Sequence, residues 1–315
     1  MNFLDMERIN SGASILFFEF WSRIMFTAME RYVLIILIMG LFGVSFGAPL
    51  ARFVPELAAL TIAFWRMAGS SALLWTSASV KAQGSLSRKK IPIISIAGIF
   101  LALHFACFYS AVKVAPIANA TLFATLAPVF TLIYERFILK RKLPLGALVG
   151  LWLAIGGAVL VQGGAIQFGT GESLGNLLAL ASSVFMAVVL IIAEQIRRTT
   201  TTIMFTRWLY FFAAVTLGAI AVVAGVELGF GQPDLKWILA LIILPTLIGH
   251  NSMNYAVRYL RPTIVGSMPF GEPILATILA WFLFGESIGL HVVFGGGVTL
   301  TGLVILTLKR GSGDQ

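Results

Sequence analysis

The sequence predicts an all-α integral membrane protein: ten transmembrane helices arranged as an inverted repeat of two five-helix halves. Three observations predict it: a composition too apolar for water, basic residues that alternate between two sides, and self-similarity at a fixed offset. Of 315 residues, 59% are hydrophobic and 11% charged, with a mean hydropathy of +0.96. A soluble domain carries about a quarter charged residues. A helix rises about 1.5 Å per residue and the hydrocarbon layer is roughly 30 Å thick, so each crossing needs about 20 apolar residues.

Long apolar runs place spans near 33–51, 57–79, 92–113, 117–138, 145–162, 173–194, 203–225, 236–256, 263–284 and 290–308. Short loops join them and no polar linker intervenes, which suits packed neighbouring helices and excludes a separate soluble domain. Residues 1–30 form an N-terminal extension or surface segment. This stretch reads either as an amphipathic segment lying on the membrane or as an over-long start, with Met25 or Met29 beginning the protein. The second reading is preferred. It is neither a span nor a cleavable signal peptide.

Basic residues resist translocation and collect on the cytoplasmic side. With the N-terminus inside, 17 of the 22 Lys and Arg fall in cytoplasmic segments, while Arg52, Lys113 and Lys236 lie opposite and Arg66 and Arg207 lie within spans. Nine or eleven spans would scramble that pattern. It places both termini in the cytoplasm of a bacterial-type inner membrane, with residues 311–315 as a cytoplasmic tail. It also accounts for the net charge of +9 without nucleic acid as a partner. The single cysteine, Cys107, excludes an intramolecular disulfide and a multi-cysteine metal site, and no cofactor is expected.

Sliding the chain along itself exposes the repeat. At an offset of 146, His104 meets His250, Tyr109 meets Tyr255 and Pro116 meets Pro262; at 145, Pro128 meets Pro273, Gly150 meets Gly295 and Gly157 meets Gly302. The halves are then 31–162 and 163–310, each of five spans. Five is odd, so the second half enters from the opposite side. Such halves can rock about a midplane site and expose it alternately, which predicts a secondary transporter of small solutes.

One run is more specific: His250-Asn251-Ser252-Met253-Asn254-Tyr255-Ala256-Val257-Arg258-Tyr259-Leu260-Arg261-Pro262, then Gly271-Glu272-Pro273 and Phe284-Gly285-Glu286. The first half offers Phe108-Tyr109-Ser110-Ala111-Val112-Lys113, Ala127-Pro128-Val129-Phe130, and Trp65-Arg66 in the second span. Over roughly residues 31 to 310 the chain resembles EamA-type carriers of the drug/metabolite transporter superfamily. The resemblance implies ten helices, both termini inside, and a central cavity shared by the halves. The chain departs from the pattern where the first half reads Leu139-Lys140-Arg141-Lys142 in place of the usual Gly-Glu, and where Ala127 faces Glu272. The substrate range of these carriers is broad, so no substrate carries over.

Ionisable groups inside spans are costly and face a cavity or a partner. Glu272, near the middle of the ninth span, reads as a proton acceptor or counter-charge for a cationic or zwitterionic solute; the structural alternative is a carboxyl bonded to a neighbouring helix beside the break at Pro273. His104 and His250 occupy matched positions and are able to exchange protons, or else are held by carbonyls and hydroxyls. Arg66 suits a substrate carboxylate or Glu272, although a structural, snorkelling role is the stronger reading. Tyr109, Asn119, Asn254 and Tyr255 are candidate hydrogen-bond partners of solute, with polar contact between helices as the competing role; Trp65 is a candidate cavity wall. Glu135, Glu194, Arg207 and Glu286, near span ends, are placed at the interface. Glycines in Gly43-xxx-Gly47 and Gly146-xxx-Gly150 are read as helix-packing contacts, and Pro269 and Pro273 mark the ninth span as broken or kinked.

Other function classes make different demands on the residues. An intramembrane enzyme acting on a lipid or prenyl diphosphate needs clustered aspartates, and Asp5, Asp234 and Asp314 all lie outside spans. No phosphate-binding Gly-x-x-x-x-Gly-Lys-Ser/Thr loop exists for an ATP-driven pump, and no filter motif marks a channel, although a passive channel stays open. The expected partners are a small-molecule substrate, the lipid bilayer and protons as a coupling ion, in a monomer or homodimer.

Overall fold

The computed structural model describes residues 31–80, 86–115, 117–163, 173–285 and 287–309. The segment 1–30, the tail 311–315, Pro116 and Glu286 lie outside the described residues. All regular structure among the described residues is helical. In chain order it comprises α1 (Arg31–Ala51), α2 (Ala59–Val80), α3 (Ile91–Val114), α4 (Ile117–Ala124 and Ala127–Phe137), α5 (Leu145–Gln162), α6 (Ser173–Arg197) and α7 (Thr202–Val223). Then follow α8 (Leu235–Leu241, Ile242–His250 and Asn251–Ala256), α9 (Pro262–Ser267, Met268–Gly271 and Glu272–Phe284) and α10 (Leu290–Leu308).

Eight of these helical stretches are long and apolar enough to cross a membrane. The other two coincide with expected spans and fall short for visible reasons. Arg66 and the serines at 70, 71, 77 and 79 lower the hydropathy of α2, while α4 is two short helices.

Prolines set the interruptions. Pro128 sits in the first turn after the break in α4, where a missing N–H costs nothing. Pro269 lies within a tight 3₁₀ turn in α9, Met268–Gly271, and Pro273 just after it, the kink expected there. In α8, Pro245 lies inside a π-helical stretch, Ile242–His250. A proline cannot donate to the carbonyl four residues back, and in the π-helical stretch the bonds run five residues back instead; the Leu241 carbonyl also accepts from the Thr246 hydroxyl at 3.0 Å.

Small residues decide which helices touch. Along α5 and α10, a Cβ on Gly150 would come within 2.4 Å of the Leu306 nitrogen, one on Gly157 within 2.3 Å of Thr299, and one on Gly302 within 2.3 Å of Ala154. Gly43 of α1 lies as tightly against Gly249 of α8. Gly47 and Gly146, expected to share this role, do less: the first has only the Pro245 side chain nearby and the second only that of Lys309.

Charged residues near the span ends are buried between helices. The Glu135 carboxylate accepts from the Thr263 backbone N–H at 3.0 Å and from its hydroxyl at 2.9 Å, so α4 caps the start of α9. Glu194 pairs with Arg141 at 2.8 Å and Arg198 at 3.0 Å. Arg207 is buried with its guanidinium over Trp75. Proximity to a span end marks depth along the helix, not the side it faces, and all three face neighbouring helices.

Two substitutions in adjacent positions test the glycine contacts. Gly156 has nothing within 4 Å of an added Cβ, so Gly156→Ala is expected to raise the melting temperature in detergent slightly, by about 0.5–1 kcal/mol of helix stabilisation. Gly157→Ala is expected to lower it, since the methyl meets backbone. Lys140 holds φ +54°, the left-handed conformation that Gly285 adopts at the end of α9. Lys140→Gly therefore relieves roughly 1–2 kcal/mol of backbone strain and raises the melting temperature.

Candidate functional site

A central cavity of ≈ 250 Å³ is enclosed by α1 to α4 and α6 to α9, with only Gln162 from α5 and nothing from α10. Its lining runs from the middle of the bundle towards the end that carries Arg52, Thr121 and Gln162, away from the end rich in lysine and arginine.

Arg66 is the fixed point. Its side chain, 3% exposed, donates from Nε to the Thr246 hydroxyl at 3.2 Å and from Nη1 to the Tyr109 hydroxyl. The guanidinium carbon lies 4.7 Å from the centre of the Phe105 ring. A cation is held in apolar surroundings when its N–H groups and its face both find partners. Thr246 provides one, its hydroxyl oriented by donation to the Leu241 carbonyl. The interruption in α8 thus positions an arginine of α2.

Glu272 faces the same cavity from α9. Among the described residues its carboxylate takes part in no hydrogen bond and no ion pair, and no salt bridge joins it to Arg66. Arg66 and Glu272 thus line one cavity without a direct ion pair between them.

The two histidines differ. The Nδ1 of His104 lies 2.9 Å from the Ser182 carbonyl and 2.8 Å from its hydroxyl. A carbonyl only accepts, so Nδ1 is the donor and Nε2 keeps the lone pair. The His250 ring has no hydrogen bond among the described residues and meets the Phe105 ring edge-on, with centroids 5.4 Å apart. Both line the cavity, with Tyr109 and Asn254. The Asn254 amide donates to the His250 carbonyl at 2.9 Å.

Asn119, Tyr255 and Trp65 lie outside the cavity lining. The Asn119 amide donates to the Asn176 side chain at 2.9 Å, joining α4 to α6. Tyr255 packs its ring against Tyr32 and Tyr259 near the basic end. The Trp65 indole N–H donates to the Leu228 carbonyl at 2.6 Å and its ring meets Phe230, pinning the loop between α7 and α8. Polar lining residues not singled out from the sequence are Thr121, Thr125, Gln162, Tyr210 and Thr277.

The profile of the EamA-like transporter family matches twice, over residues 31–162 and 173–308. The chain belongs to the EamA-like transporter family. Among EamA-like relatives, the pseudopaline exporter CntI of Pseudomonas aeruginosa is 25% identical over 259 residues, 81% of this chain and 88% of CntI. An uncharacterized transporter of Archaeoglobus fulgidus is 26% identical over 215 residues, 66% of this chain and 73% of its own length. The uncharacterized inner membrane transporter YedA of Escherichia coli is 27% identical over 201 residues, 62% of this chain and 63% of its own. A crystal structure 17% identical in sequence superposes with a TM-score of 0.76 over 90% of this chain and 99% of the other, which shows the fold alone. The EamA-like protein is thus a multi-pass membrane protein and a transporter of small molecules, not an enzyme.

Removal of each charge is expected to act differently on the folded protein. Arg66→Ala removes two hydrogen bonds and a ring contact and lowers stability by about 3 kcal/mol, whereas Glu272→Gln stays within about 0.5 kcal/mol of wild type. Thermal melts in detergent check both. Equal destabilisation would show that the carboxylate is tied into the structure.

Proposed function

We propose that this chain is a secondary active transporter that exports or exchanges small amino-acid-like or other polar, amphiphilic solutes by alternating access. The observation that carries the reading is the pair of unjoined charges, Arg66 and Glu272, in one cavity beside the rings of Phe105, Phe108 and Tyr109. Arg66, fixed from three sides, suits a carboxylate; Glu272, unpartnered, suits an ammonium group or a proton. His250 is the second proton-exchanging group of the cavity, and Asn254 and Tyr109 complete the candidate binding set. Asn119, Tyr255 and Trp65 then act indirectly, by holding helices and a loop.

The alternating mechanism rests on ten crossings in two halves of opposite sidedness. Helix contacts support it: α3 packs on α6 and α1 on α8, α3 packs on α7 and α2 on α8, and α5 packs on α10. Each pairing has its counterpart when the halves exchange, as a pseudo-two-fold axis requires. With both termini cytoplasmic, the cavity extends towards the outside, so the conformation is outward-facing. An inner membrane location and a monomeric or homodimeric state complete the reading, with protons as the coupling ion.

The test has two stages. Metabolite profiles of cells with and without the gene identify the solute, and proteoliposomes then measure its flux. Saturable, gradient-dependent flux is expected, with Glu272→Gln and His250→Ala each reducing it at least tenfold or altering its pH dependence, an effect of about 1.4 kcal/mol or more. Flux and pH dependence unchanged in both variants would remove these residues from the site. Non-saturable flux would instead favour a channel. Reporter fusions placing the termini on different faces would overturn the inverted repeat.

A further inference from the structure

Arg207 lies away from the cavity, between α7 and α2, and the proposed transport reading makes no use of it. It is 9% exposed, yet among the described residues its guanidinium takes part in no hydrogen bond and no ion pair. Its face is covered by the Trp75 ring, whose centroid is 4.4 Å from the guanidinium carbon. Stacking satisfies the face of a guanidinium and leaves the N–H groups at its edge in need of acceptors. The Nε is buried without one.

The adjacent indole has the same deficit. Trp208 meets the same Trp75 ring edge-on, with centroids 5.0 Å apart, and its Nε1 is buried without a partner. Trp75, Leu73 and Phe211 around this point are exposed on the outer surface of the bundle, where the neighbours are lipids. Arg207 and Trp75 each lie five residues from the end of their helix, about 8 Å along the axis. That depth, near the basic end, lies where headgroups meet hydrocarbon. The start of α3, which packs on α7, presents exposed Arg88 and Lys89 at the same end.

We propose that Arg207, with Trp75 and Trp208, forms a binding site for the phosphodiester of an anionic phospholipid in the groove between α2 and α7. The guanidinium presents its two Nη groups, which match two phosphate oxygens, while its Nε and the Trp208 indole N–H lie buried behind them. Water is scarce at this depth, so the donors gain most from a ligand that already resides there. A zwitterionic headgroup brings its own cation next to Arg207, Arg88 and Lys89, which favours lipids of net negative charge.

The chain carries seven tryptophans, and replacing Trp21, Trp65, Trp152, Trp237 and Trp281 by Phe leaves the two at the site as reporters. Reconstituted full-length protein is titrated with brominated phosphatidylglycerol or brominated phosphatidylcholine, whose bromines quench indole fluorescence. The expected preference for the anionic lipid is about fivefold, the equivalent of roughly 1 kcal/mol for one cation near the surface. Arg207→Gln abolishes the preference and Arg207→Lys, which keeps the charge, retains part of it. Circular dichroism melts confirm that each variant is folded, and native mass spectrometry counts the lipid retained by the protein with all its tryptophans. Inorganic phosphate is not expected to reduce the quenching. Equal quenching by both lipids, or the same preference in all three proteins, would overturn the site. Competition by inorganic phosphate would assign it to a soluble anion and overturn the lipid as its source.

Discussion

The cavity depends on how Arg66 is held. A guanidinium inside a helical bundle is stable only when its donors and its face are occupied. Here the hydroxyls of Tyr109 and Thr246 and the ring of Phe105 do this from α3 and α8. Behind Thr246 stands the carbonyl of Leu241, which accepts from its hydroxyl. A threonine in the π-helical stretch of one helix thus has its hydroxyl oriented by a carbonyl of its own helix, and that hydroxyl receives an arginine from another helix. With its Nε and Nη1 so committed, Arg66 shares the cavity lining with Glu272 and makes no direct ion pair with it.

Around that site the two halves are alike in backbone and unlike in chemistry. The turn after α9 uses Gly285 at φ +69°, and the matching turn after α4 keeps the same conformation with Lys140 at φ +54°. The fold retains the left-handed residue even where a side chain makes it costly, because the Arg141 N–H closes the turn onto the Glu135 carbonyl at 2.8 Å. Arg141 then uses its side chain to reach Glu194 on α6. The departure from the Gly-Glu pattern has become a tie between helices.

The helices were legible because hydropathy and basic residues report on a bilayer one dimension at a time: how long a run is and which end resists crossing. The interior of the helices was less so. Pro245 sits in an apolar run and looks no different from a tolerated kink, so the π-helical stretch it imposes was not foreseen. Pro269 and Pro273 were legible because two prolines flank an acid. Among site residues, Arg66, Glu272 and the histidines stand out because their presence in a span needs a reason. Thr121, Thr125 and Thr277 do not, since a threonine in a span commonly bonds its own helix, as Thr277 does to the Pro273 carbonyl at 2.8 Å. Asn119 and Trp65 were legible as polar or aromatic residues in need of partners, but only the fold reveals those partners as Asn176 and Leu228.

The same contrast between the halves holds at the end towards which the cavity extends. At the basic end α4 and α9 are joined by Glu135 on the backbone and hydroxyl of Thr263, with the Thr131 hydroxyl 3.0 Å from that of Thr263. By the offsets of the repeat, the equivalents of Glu135, Thr131 and Thr263 at the other end are Ala280, Ala276 and Ile117. None of the three is able to accept or donate a side-chain hydrogen bond. A buried carboxylate that caps a helix start holds two helices at a set distance, because separating them strands the charge. At the other end the polar ties between the halves lie elsewhere, joining α4 to α6 through Asn119 and Asn176 and α2 to the loop before α8 through Trp65 and the Leu228 carbonyl. Among the described residues, no buried carboxylate of the Glu135 kind links α4 to α9 on the side towards which the cavity extends.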